Sequence, residues 1–188
     1  LHHKGKLVIG VENTPTVIFD LMQFLVIDLG GVVGQIGMGQ HGTAFAHAGM
    51  RMGPAICYEG LYGDFYGGFV RRGAQFMAII SNDGWWGDTP GYKHLFSISR
   101  LRAVEHRRAI ARSANTGMSG FISARGDIGE TLGWEKRGVI SAAVPLNSEL
   151  TFYTRYGDYL GRIAEYLTLL CVLYYIAYRV KRENYLVK

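Results

Sequence analysis

The chain has two thiols among its 188 residues, Cys57 and Cys171. Cys57 lies within the run GPAICYEG (53–60), in which small and apolar residues give way to a cysteine, an aromatic, a glutamate and a glycine. A strand that stops on the cysteine puts the thiol at its carboxyl end, and in an α/β sheet that edge borders the crevice where ligands bind. The residues that follow predict a helix, whose first N–H groups favour a thiolate. Glu59, two positions on, is too polar to be core filling. Two readings of Cys57 stand on these residues, a small buried hydrophobe and a nucleophile. Cys171, between Leu170 and Val172, reads as packing. A nucleophilic thiolate also needs a base for its proton and a group that holds the oxyanion. The stretch HHKGKLVIGVE (2–12) offers Lys4 and Lys6 ahead of an apolar, strand-like run that ends on Glu12. Lysines beside a strand are ordinarily surface residues, so this stretch gains meaning only beside the cysteine.

The elements that must position these groups follow from composition and pattern. The length suits one domain of ordinary size with a core of its own. Two cysteines in such different surroundings form no disulfide framework. The six histidines make no zinc-like spacing with them, and His2-His3 reads as a loose terminus. No metal or organic cofactor is implied. The net charge of +5 is concentrated in the last ten residues, which hold Arg179, Lys181, Arg182 and Lys188 against Glu183. The arginines at 100, 102, 107, 108 and 112 fall in one predicted helix and read as its solvated or salt-bridged face, which argues against nucleic-acid binding. The chain opens on Leu1 rather than methionine and is read as part of a longer protein.

Strands are expected at MGPAIC (52–57), QFMAIIS (75–81), SGFIS (119–123) and GVISAAV (138–144), and helices over 61–72 and 93–112. Asp28 to Gly42 is glycine-rich loop, without the spacing of a dinucleotide fingerprint. Strands alternating with helices predict an α/β layered domain. From Ile163 to Tyr178 the run IAEYLTLLCVLYYIAY carries one charge, Glu165. Extended back to Leu160, it predicts a transmembrane helix over 160–178 with tyrosines at both interfaces. The basic tail 179–188 then lies on the cytoplasmic side and residues 1–159 lie outside.

Read in order, HKGKLVIGVE, GPAICYEG, ISNDGWWGDTPG (80–91), RLRAVEHRRAIARSANTG (100–117) and LTFYTRYGDYLGR (150–162) resemble the catalytic domain of the apolipoprotein N-acyltransferases, within the nitrilase superfamily. The wording SNDGWWGDTPGY and SANTG is similar to that family's Bacteroidetes branch. The resemblance implies part of a stacked αββα sandwich followed by the family's last membrane helix, and a Glu–Lys–Cys triad. On this chain Cys57 matches the nucleophile, Lys4 the lysine that steadies the oxyanion, and Glu12 and Glu59 carboxylates kept beside the triad. The general-base glutamate is implied upstream of residue 1, so the 188 residues alone are expected to be inactive. Two positions depart from the family pattern. Val8-Ile9-Gly10-Val11 fills a run that usually holds proline, and His94 is displaced by one place from the family's histidine.

The implied reaction transfers an acyl chain from a phospholipid, through a thioester on Cys57, to the terminal amine of a diacylglyceryl lipoprotein. The implied place is the outer, periplasmic face of a bacterial inner membrane. Two rivals share these residues: a nitrilase- or amidase-type hydrolase with the same cysteine and lysine, and a membrane-tethered binding module in which Cys57 only packs. Trp85 and Trp86 read either as a lid over the core or as a wall for acyl chains.

Overall fold

A computed structural model describes residues 1–8, 39 and 41–186 of the chain. Six strands form one sheet in the order of the sequence: β1 (Phe45–His47), β2 (Met50–Ile56), β3 (Phe76–Ser81), β4 (Ile110–Ala114), β5 (Ser119–Ile122) and β6 (Ile128–Leu132). β2, β3 and β4 run parallel, while β1, β5 and β6 pair antiparallel at the two sides. The two parallel steps are bridged by α1 (Gly63–Arg71) and α2 (Pro90–His106), as parallel neighbours require.

Alternation along the strands decides which face is core. Ala55 is opposite Ile79, Met77 opposite Ile110 and Ile110 opposite Ile122, so these side chains share the face that receives Tyr66, Phe69 and Val70 of α1 and Phe96 and Ala103 of α2. Gly53 is required for this contact, because a Cβ there would stand 2.9 Å from that of Phe69. The second face is also apolar: Met52 opposite Phe76, Ile56 opposite Ile80, and Ala111 opposite Phe121. No described helix lies on it, and Ile80 is 59% exposed. The described chain thus supplies one helical layer and one sheet layer of the expected αββα stack.

Two expectations from the pattern are corrected. The helix predicted over 93–112 spans Pro90–His106 instead, ending where Arg107 takes a left-handed conformation (φ 50°). The alternation of Ile110 and Arg112 then belongs to strand β4, and Arg102, Arg108 and Arg112 are buried rather than solvated, Arg102 and Arg112 being salt-bridged as expected, to Glu105 and Asp83. Residues 138–144 are not a strand: among the described residues they have no ladder partner, and Val139 is 94% exposed. Their alternating pattern suits a half-buried strand, yet a strand also needs an edge to pair with.

A short helix, α3 (Phe152–Tyr156), docks on α1 and α2 through His106. Gly63 O accepts from His106 Nε2–H at 3.1 Å and Thr154 Oγ1 lies 2.8 Å from Nδ1. The last element, α4, runs Tyr159–Leu186, and its segment Tyr159–Arg179 has a mean hydropathy of 1.4 with none of the window buried. At 1.5 Å per residue its 21 residues reach about 31 Å, enough for a hydrocarbon layer of roughly 30 Å. Cys171 is exposed on this helix, so it is not packed in the protein as expected.

Burial pushes His106 down to about 4, helped by the guanidinium groups of Arg102, Arg71 and Arg108 and opposed by its bond to Gly63. The unfolded chain takes up this proton near pH 6.5 and the folded chain only near 4, so stability is full above 6.5 and falls as pH drops between those values. The stability gap between wild type and His106→Gln should therefore narrow by up to about 3 kcal/mol across that window, as read from unfolding midpoints of the micelle-solubilised chain. A gap independent of pH would show that His106 is protonated in the folded state.

Candidate active site at the carboxyl edge of the parallel strands

β2 ends at Ile56, and Cys57 turns the chain with φ 49°. A cysteine in the left-handed region is held there only when its surroundings over-determine it, and such residues cluster at functional sites. A 3-10 turn, Cys57–Leu61, follows, and α1 begins only at Gly63 rather than at the cysteine. The thiol is half-buried, not sealed into the core.

What holds the turn is Glu59, whose side chain is fully buried. Its Oε2 accepts from Ile56 N–H at 2.7 Å, fastening the turn to the strand end. Its Oε1 accepts from Gly5 N–H at 2.6 Å, and Oε2 lies 3.2 Å from His2 Nε2. The same carboxylate therefore clips residues 2–5 against the cysteine turn. Gly5 has to be glycine here, because a Cβ would collide with the Phe65 ring. The His2 ring meets Phe69 edge-on at 5.2 Å, and Leu7 is buried. Lys4 is part-buried within this clipped segment, and its carbonyl accepts from Gly39 N–H at 3.0 Å. The structure thus brings the segment of Lys4 to the turn of Cys57 and Glu59. Glu12, the remaining predicted site residue, lies outside the described residues. His2, read from sequence as a loose terminus, is instead a partner of Glu59, and nothing local signals a contact between residues 57 positions apart.

Two loops share this edge. Residues 82–89 leave β3 and carry Trp85 and Trp86, about half-exposed, while residues 115–118 link β4 to β5. Asn115 N–H donates to Ser81 O at the end of β3 at 2.9 Å, and Asn115 Nδ2 donates across the loops to Asn82 Oδ1 at 3.4 Å. Beneath them lies a buried ion pair: Arg112 Nη2 donates to Asp83 at 2.7 and 3.0 Å, and Ser81 Oγ donates to Asp83 Oδ1 at 2.5 Å. The guanidinium also reaches Ser99 Oγ at 3.3 Å and Met118 O at 3.2 Å, tying both loops to α2. Gly117 permits this approach, since a Cβ would collide with the Asp83 carboxylate. His94 is exposed on α2.

Residues 3–150 match the carbon-nitrogen hydrolase family. The chain belongs to that family. It is 44% identical over 109 residues to an apolipoprotein N-acyltransferase of Chlorobaculum tepidum, covering 58% of this chain and 20% of that one. It is 43% identical over 97 residues to an apolipoprotein N-acyltransferase of Rhizobium meliloti, covering 52% and 18%. The chain thus spans about a fifth of the length of these curated relatives. Among solved structures, a nitrilase-superfamily member from Saccharomyces cerevisiae is similar at 20% identity and a TM-score of 0.49, covering 55% of this chain and 41% of that one.

Because Asp83 and Arg112 are both buried, removing one strands the other. Asp83→Ala should cost about 3–5 kcal/mol and loosen residues 82–89, measured by denaturant midpoint and by protease cutting near Trp85. A midpoint within error of wild type would show that the pair is not formed.

Proposed function

We propose that this chain carries the nucleophile and the oxyanion-binding lysine of an apolipoprotein N-acyltransferase, working at the outer face of a bacterial cytoplasmic membrane. The observation that carries this reading is Cys57, only partly buried in a left-handed turn at the end of β2, with one buried carboxylate clipping the Lys4 segment beside it. The names of the curated relatives and the apolar helix α4 supply the rest.

The chemistry divides into two half-reactions. Cys57 Sγ attacks the carbonyl carbon of a phospholipid ester, a base takes the thiol proton, and the negative charge that develops on the carbonyl oxygen is met by Lys4 Nζ. The ester C–O bond breaks, the lysophospholipid leaves with the proton, and a thioester remains on Cys57. The α-amine of a diacylglyceryl-cysteine terminus then attacks the thioester, gives up its proton to the base, and expels the thiolate as the amide forms. A thiolate leaves readily, which suits cysteine to both halves. Glu59 is not that base: both of its oxygens already accept from donors of the turn and the clipped segment. It acts as a positioning residue, and the base is the glutamate that the family resemblance puts upstream of residue 1. Glu12 remains a further carboxylate of this site by the same resemblance. The span 160–178 holds the catalytic body outside, and the basic tail from Arg179 lies in the cytoplasm.

Incubating the full-length protein with acyl-labelled phospholipid should yield label on the peptide that contains Cys57. Cys57→Ala should remove it and lower turnover about a thousandfold or more. Equal labelling of that variant would overturn the mechanism.

Glu59→Gln presents an amide N–H₂ to donors that now meet a carboxylate. It should lower kcat about a hundredfold through misplacement of the lysine segment, speed amide exchange at Gly5, and leave KM for the phospholipid little changed. A kcat loss without faster exchange at Gly5 would instead make Glu59 a participant in proton transfer.

A further inference from the structure

A cleft at the start of α1 is lined by neither Cys57 nor Lys4. Its volume is ≈ 900 Å³, and Lys6, Arg71, Arg72 and Arg102 stand around it against the carboxylates of Asp64 and Asp158. Both acids are already engaged. Asp64 accepts from Arg71 Nη2 at 3.2 Å, and Asp158 Oδ1 accepts from Gly161 N–H at 2.9 Å. We propose that this cleft binds the phosphate of a membrane-lipid headgroup, with Lys6, Arg72 and Arg102 as its cationic contacts over the N-terminus of α1.

Three features point to an anion. Arg102 is only 6% exposed; its Nη1 lies 3.1 Å from Glu105 Oε2, yet its Nε–H has no partner. Arg102 lines the cleft, and a buried guanidinium N–H without an acceptor is a rare arrangement that an oxyanion bound at this guanidinium would offset. Tyr62, the N-cap of α1, gives no side-chain cap, and Gly63, Asp64 and Phe65 of the first turn line the same cleft at the positive end of the helix dipole. Gly63 lets the Arg102 guanidinium lie against that helix start, since a Cβ there would collide with it. Lys6 completes the rim, with its Nζ 5.1 Å from the Tyr62 ring centre and 5.6 Å from that of Phe65.

The choice of lipid among phosphate sources comes from position. Asp158, which lines the cleft, caps the first turn of α4, and the apolar segment starts at the next residue, Tyr159. A helix that enters the hydrocarbon there sets the cleft at the depth of the headgroup phosphates. This part rests on the proposed membrane crossing by α4. It does not rest on the chemistry of Cys57.

The test uses the full-length protein in dodecyl maltoside micelles, titrated with dihexanoylphosphatidylglycerol and followed by phosphorus NMR line broadening. Saturable broadening is expected, weakened by added salt and about tenfold weaker in the double variant Lys6→Gln/Arg72→Gln. Both positions lie at the rim, so this variant should fold even where Arg102→Gln does not. No broadening, or equal binding by the double variant, overturns the site. Inorganic phosphate binding as tightly as the lipid overturns the headgroup assignment. Repeating the titration with Cys57→Ser separates the two proposals, because headgroup binding should persist there while acylation of residue 57 is lost.

Discussion

One carboxylate governs how the chain can approach its thiol. Glu59 is fully buried and accepts from Ile56 N–H on one side and Gly5 N–H on the other, segments that meet only in the folded chain. A buried donor left without its acceptor costs about 1–3 kcal/mol, so the clip is closed with both segments in place or heavily penalised. The left-handed φ of Cys57 is sustained by the same closure: the turn is bonded to its own strand three residues back and to residues 2–5 across the site. Strain at Cys57 and order in residues 2–5 therefore have a common source. A site built this way is specified by acceptor geometry rather than by apolar packing, which is less particular about where atoms stand.

Buried polar groups recur as the fasteners of the loops around this edge. Arg108 is almost fully buried and donates to four carbonyls, of Ala74, His106, Arg107 and Glu149. It binds the end of α2 to the approach of β3 and to the segment before α3. Burial lowers its affinity for the proton, with Glu149 and Tyr66 acting in the opposite direction, and an arginine starts high enough to remain charged. Arg112 serves the two loops at the carboxyl edge in the same manner, through Asp83, Ser99 and Met118. Each guanidinium reaches several elements at once, a task its planar fork of five donors suits better than an ammonium would.

The parts legible in sequence are those set by local pattern. MGPAIC and QFMAIIS read as strands because both carry apolar residues bounded by turn formers, and β2 and β3 stand within two residues of those bounds. The thiol was legible too, since a strand that stops on cysteine is a local feature. Three-residue β1 is too short to show any period, and β6 is polar along most of its length. The overrun of α2 has a definite cause: RLRAVEHRRAIAR contains no glycine or proline to mark the stop, and the stop is made by Arg107 in a conformation usually left to glycine. The roles of Glu59, His2 and Arg112 were not legible, because each depends on partners brought near by the fold.

The described chain exposes two apolar surfaces of different kinds, and they ask for different covers. On the sheet's second face the backbone is already paired, so a flat layer packed about 10 Å away completes it. The αββα arrangement provides such a layer as a second sheet. α4 is a single helix of 28 residues with none of its apolar window buried among the described residues, and a helix in water depends mainly on packing of one apolar face for stability. Its apolar residues are spread around the circumference, as Leu167, Leu169, Leu170, Cys171 and Val172 are at about 100° per residue. A one-sided partner would leave half of them wet, whereas a hydrocarbon layer covers every side and leaves the helix backbone satisfied internally. The helix thus asks for a surrounding solvent rather than a one-sided docking partner.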